Sequence, residues 1–237
     1  MPVIEIVETR EERTYRNWIN HFGMDPVCNY IYEDLRDGLL LLKVLDKISP
    51  GIVSWNKVNQ KHPLSTFKKT ENCQYALVLA KSLKFSLVGI QGKDISDGNK
   101  TLTLALVWQM MRFHCLNIIR DLGQGKDVKD SDVVQWANQR VSGAGKSSSI
   151  RSFKDPSIKT GLFFIDMVAA TEPRAVDYDL VNSGASEADA LLNASYAISC
   201  ARKAGAVCFL LPEDITEVVA KQCLTFAGSI LAVQPQQ

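Results

Sequence analysis

The sequence is poor in the features that specialise a chain chemically. Among 237 residues there are three histidines, His21, His62 and His114. None has an HExxH pattern or a cysteine at ligand spacing, so neither a zinc site nor histidine acid–base chemistry is indicated. Six cysteines stand at 28, 73, 115, 200, 208 and 223 without a CxxC pair. They read as buried thiols of a reducing compartment, not as a metal site or redox dithiol. Long apolar runs are also missing. The longest, Ala206 to Leu211, falls far short of the roughly 18 to 20 residues that cross a bilayer. The N-terminus carries Glu5, Glu8, Glu11 and Glu12 where a secretory signal would place basic and then apolar residues. Charge of one sign is lacking too: 27 Lys plus Arg against 26 Asp plus Glu leave +1. That excludes a uniformly basic nucleic-acid binder and an acidic disordered tail. The chain reads as cytoplasmic, without cofactor, nucleic-acid or membrane partner, and as a fragment of a longer protein.

What is present is helical periodicity. Tyr15, Trp18, Ile19 and Phe22 fall on one stripe of a helix beginning near Glu11. Leu39 to Ile48 is apolar on most faces, which predicts a central buried helix stopped by Pro50-Gly51. Asn72 to Leu83 marks a third helix and Lys100 to Asn117 a fourth. The fourth has two apolar stripes. Thr101, Leu104, Ala105, Trp108, Met111 and Cys115 suit a core, and Leu106, Val107, Met110 and Phe113 form a second face that must also be covered.

The pattern repeats. Asn72, Tyr75, Ala76 and Ala80 recur 121 residues later as Asn193, Tyr196, Ala197 and Ala201. A shift of 118 puts Trp136 on Trp18, a shift of 123 puts Thr160-Gly161 on Asp37-Gly38, and a shift of 120 puts Asp214 on Asp94. A period this long describes two copies of one small helical domain. The expected modules are residues 10–119 and 128–233, joined by a linker at 120–127.

Charge differs between the copies. Residues 13–119 hold 14 Lys plus Arg and 8 Asp plus Glu, or +6, whereas residues 120–237 hold 12 and 14, or −2. Lys57, Lys61, Lys68, Lys69, Lys81 and Lys84 have only Glu71 as an acid among them. That stretch is a candidate landing surface for an acidic partner.

Enzyme signatures fail. Gly143-Ala144-Gly145-Lys146-Ser147 imitates a phosphate loop, but Arg140 occupies the place of its first glycine and the segment follows a helix. Asp177 to Glu187 lacks the ligand spacing of a calcium loop. Isolated aspartates at helix starts, such as Asp37, Asp94 and Asp214, read as caps. No catalytic or metal-binding residue is assigned, and the chain is expected not to be an enzyme.

Asp37-Gly38-Leu39-Leu40-Leu41, the Trp18 helix and Asp97-Gly98-Asn99-Lys100-Thr101-Leu102-Thr103-Leu104-Ala105-Leu106-Val107-Trp108 together resemble the tandem calponin-homology actin-binding domain, over Arg10 to Val233. Phe85 to Ile90, Ser152 to Asp155 and Leu211-Pro212-Glu213-Asp214 bring the resemblance nearest to the second tandem pair of the fimbrin or plastin family. It implies an all-α fold of two modules, each a bundle of four main helices with short connecting helices. It also implies non-enzymatic binding to filamentous actin, as one half of a filament-bundling protein of the actin cytoskeleton. The implied contacts are Arg16, Asn17 and Asn20 on the first helix, and Thr103, Val107, Met110, Phe113 and His114 on the last. Lys61, Lys68 and Lys69 add to these. A monomer with contact between its modules is expected, the second module orienting the first. The alternative is a calponin-homology scaffold for a signalling or microtubule-associated partner.

Overall fold

The computed structural model describes residues 8–123 and 125–233. Glu5, and Gln124 of the expected linker, lie outside the described residues. The described residues form helices and turns and no strand, as an all-α chain requires. They gather into two units, one up to His114 and one from Cys115 onward.

The first unit contains α1 (Arg10–His21), α2 (Ile31–Asp34), α3 (Leu39–Ile48), α4 (Thr66–Ser82), α5 (Gly92–Ser96) and most of α6 (Lys100–Ile118). A capping box starts α1: Glu12 N–H donates to Thr9 Oγ1 at 3.2 Å and Thr9 N–H donates to Glu12 Oε2 at 2.8 Å. The predicted stripe then buries Tyr15, Trp18 and Ile19. α3 buries six of its ten residues, which fits a helix apolar on most faces. In the second unit α7 (Asp130–Gly143), α8 (Leu162–Thr171), α9 (Glu187–Lys203) and α11 (Ala220–Leu231) are the long helices, with α10 (Pro212–Thr216) between the last two. Phe164 of α8 and Phe226 of α11 meet at a tilt of 49° with ring centroids 4.8 Å apart in its core.

The sequence repeat has a physical cause. Asn72 is buried, and its amide donates to Asp37 O and Asn59 O while accepting from Asn59 N–H, all at 2.9–3.0 Å. Asn193 does the same for Thr160 O, Asn182 O and Asn182 N–H. One side chain thus satisfies three part-buried backbone groups that no helix or strand supplies. Beside it, Gly38 and Gly161 take φ values of +77° and +74°, and a Cβ on Gly38 would lie 2.7 Å from the Cys73 backbone nitrogen. Only glycine meets both the left-handed angle and the close approach. Tyr75 accepts from Ser54 N–H at 3.0 Å and Tyr196 from Asp177 N–H at 2.7 Å, which fixes the loop before each helix.

One expectation is corrected. α4 starts at Thr66, six residues before the stripe that predicts it, because its first turn is solvated and its one large apolar residue, Phe67, lies off that stripe. Ser65 Oγ caps it. In α6 both apolar stripes contribute buried residues: Leu106, Val107 and Met110 of one and Met111 and Cys115 of the other are buried, whereas Leu104, Ala105, Trp108 and Phe113 are half-buried. Both faces are apolar, so periodicity alone does not rank them.

Candidate functional site

The first helix is occupied with its own fold. Arg16 makes a two-pronged ion pair with Glu8, Nε to Oε1 at 2.6 Å and Nη2 to Oε2 at 2.9 Å. This pairing, foremost its hydrogen bonds, lowers the pKa of Glu8 and raises that of Arg16. Asn20 donates to Cys28 O and accepts from Cys28 N–H, both at 2.8 Å. Its counterpart Asn138 makes the same clasp on Ile150 in the second unit. A bond shared by both copies belongs to the framework. Asn17 is half-buried on the same helix.

On α6, Thr103, Val107 and Met110 are 1%, 0% and 1% exposed. Their side chains are packed inside the protein in this structure. Phe113 is half-buried with its ring 5.4 Å from that of Phe85. His114 Nδ1 accepts weakly from Trp18 Nε1–H at 3.4 Å, and its ring meets Phe22 edge to face at 5.0 Å. Burial, reinforced by the nearby His21, holds the His114 pKa below the usual histidine value.

The lysines differ. Lys57, Lys61 and Lys68 are exposed and Lys69 is half-buried, on the 55–69 loop and the first turn of α4. Among them Phe67 is 72% exposed. Sequence reasoning missed this aromatic, because no stripe marks it; its position between charged neighbours in a capped first turn is the signal that could have found it. A solvated cationic surface with a protruding ring can steer an acidic partner and then contribute a desolvated contact.

A cleft of about 410 Å³ lies beside α1, lined by Glu8, Glu12, Arg16, Tyr30, Tyr32 and Lys100 among others. Its carboxylates are engaged. Glu8 pairs with Arg16, and Glu12 caps Thr9 and accepts the Tyr32 hydroxyl at 2.5 Å. Glu33 pairs with Arg36 and Asp97 with Lys93. Burial first, then the Glu12 carboxylate, pushes the Tyr32 phenol well above its ordinary value. Burial likewise pushes the Cys28 and Cys73 thiols up to about 12, which keeps them protonated and unreactive at neutral pH. No group of three or more His, Cys, Asp or Glu side chains among the described residues could hold a metal ion. No helix among them is long and apolar enough to cross a membrane.

Comparison with known proteins places this arrangement. The calponin homology (CH) domain matches residues 9–115 and again residues 127–235. Fimbrin of Dictyostelium discoideum is 49% identical over 98% of the chain, which covers 38% of that relative. Human plastin-3 is 49% identical over 94% of the chain and is covered to 36%. The crystal structure of the actin-crosslinking core of Schizosaccharomyces pombe fimbrin superposes with a TM-score of 0.86 at 48% identity, over 94% of this chain and 48% of that one. The chain thus spans little more than a third of the curated relatives it matches. With two matched segments, the same asparagine clasp in each and this structural likeness, the chain belongs to the calponin homology family, as a tandem pair of its domains.

Proposed function

We propose that this chain binds actin filaments without catalysing a reaction, and that it is one half of a filament-crosslinking protein of fimbrin type acting in the cytoplasmic actin cytoskeleton. One observation carries the reading: the exposed Lys57, Lys61 and Lys68 with the protruding Phe67 form a cationic, partly apolar surface on the first module. The solved fimbrin relative is described as an actin-crosslinking core. Complementary charge brings the module to an acidic filament, and Phe67 supplies area that loses water on contact. Lys69 on the same turn and Asn17 on α1 add to this contact, and Arg16 joins it when Glu8 releases the guanidinium. The modules comprise residues 10–119 and 128–233, and the chain acts as a monomer. Thr103, Val107 and Met110 serve packing in this conformation, and so does His114 through Trp18 and Phe22.

High-speed co-sedimentation with filamentous actin tests the reading. Saturable pelleting is expected, weakening as salt rises and falling at least tenfold in a Lys61→Glu/Lys68→Glu/Lys69→Glu variant. Pelleting unchanged by the triple substitution would remove the lysine surface from the contact, and no pelleting at low salt would remove actin as the partner.

A further inference from the structure

The two modules share one framework, so a surface position where they differ is one the fold leaves free. Through the asparagine clasps, residues 38–80 correspond to residues 161–201. The first stretch holds six lysines and two acidic residues; the second holds one base, Arg174, and six acidic residues. Arg174 is itself paired with Glu172 at 2.8 Å. Over this stretch the charge has therefore reversed its sign.

Its polarity has changed as well. Where the first module has Lys57 and Glu71, the second has Leu180, 61% exposed, and Leu192, 58% exposed. Leu191, 40% exposed, stands in the place of Thr70. These leucines lie on adjoining elements. Asn182 N–H donates to Asn193 Oδ1 and Asp177 N–H to Tyr196 Oη, so the 178–180 turn runs along α9 between those two residues. Leu192 precedes Tyr196 by one helical turn on the same side. Asp177, Asp179 and Glu187 are exposed around them. The first module folds with charged residues at the Leu180 and Leu192 positions, so packing does not demand leucine there, and an exposed apolar group is a mark of contact.

We propose that this face of the second module is a docking surface for a basic amphipathic helix of a partner protein. The leucines take the apolar stripe of that helix, and the carboxylates at the rim take its lysines or arginines. Lys146 lies over the Tyr178 ring at 3.7 Å, yet residues 161–201 remain net acidic and so disfavour an acidic filament or an anionic lipid surface, and the occupant differs from that proposed for the basic face of the first module.

The test titrates the full chain into a labelled 18-residue peptide of leucine and lysine with its leucines on one helical face, at about 0.15 M salt, the physiological ionic strength. A peptide of the same composition with scrambled order serves as control. One-to-one binding is expected, stronger than to the scrambled peptide and weakened at least tenfold by Leu180→Ser/Leu192→Ser and by Asp179→Lys/Glu187→Lys. Both variants replace exposed side chains, and their thermal unfolding establishes that they are folded. Binding that is absent, or equal in the wild type and the serine variant, overturns the proposal. A concentration-dependent dimer of the chain alone in sedimentation velocity, lost in the serine variant, overturns it in favour of a second copy as occupant.

Discussion

Asparagine side chains carry much of this fold, and they separate framework from surface. Asn20 and Asn138 each hold the backbone of one distant residue with both ends of the amide. Replacing Asn20 by Ala strands the Cys28 amide and carbonyl, and the expected cost is about 1–3 kcal/mol of stability. The folded variant should keep its filament affinity within twofold. Lys68→Glu should do the reverse, lowering affinity several-fold in co-sedimentation while urea unfolding moves by less than about 0.5 kcal/mol, as at most exposed positions. His114 gives the first unit a pH dependence. Its pKa is lowered in the fold, chiefly by burial and then by His21, so the unfolded chain binds the proton more readily. Stability is therefore full above the ordinary histidine value near 6.5 and declines as pH falls through it. Urea unfolding followed by tryptophan fluorescence should weaken between pH 7.5 and pH 5.5, and less so in His114→Gln. The Arg16 pairing holds the Glu8 carboxyl below its ordinary value, outside that window.

At the scale of the element, α6 shows what sequence carries and what it does not. Its existence and limits follow from composition, since Asn99 Oδ1 caps it by accepting from Leu102 N–H at 3.1 Å and apolar residues run to Ile118. Its orientation does not follow, because two apolar faces leave the period-3.6 signal without a preferred direction. That is why Val107 and Met110 read as contact residues from sequence and are buried in the structure. The helices of the repeat were legible in Asn72 and Asn193, Gly38 and Gly161, and Asp94 and Asp214, where a backbone constraint admits few residue types. Phe67 and the leucines of α9 were not, because a surface contact imposes no periodicity on its own helix. Burial makes Met110→Ala a stability variant, with an expected loss of about 2–5 kcal/mol in denaturant. Trp108→Ala should cost less than the roughly 3–5 kcal/mol of a fully buried tryptophan, since Trp108 is half-buried. Gly161→Ala requires a Cβ 2.9 Å from the Ala194 nitrogen at a φ of +74°, which calls for a backbone shift and lowers the melting temperature of the second unit.

For the whole molecule the decisive quantity is the number of filament-binding surfaces. Charge is divided between the modules, +6 over residues 13–119 and −2 over residues 120–237, so the proposed filament contact rests on the lysine surface of the first module. A bundle requires two sites that engage two filaments at once, and a single site gives no such bivalency. The matched solved chain, an actin-crosslinking core, is about twice as long as the segment this chain covers. The chain should therefore decorate filaments and pellet with them at high speed, yet leave low-speed pellets, which collect only bundles, at the level of actin alone. Joining two copies by a flexible linker of some tens of residues should restore low-speed pelleting, and the Lys61, Lys68 and Lys69 charge reversals in one copy should abolish it again. Bundling by the unlinked chain would show that the second module presents a filament site of its own, despite its sign.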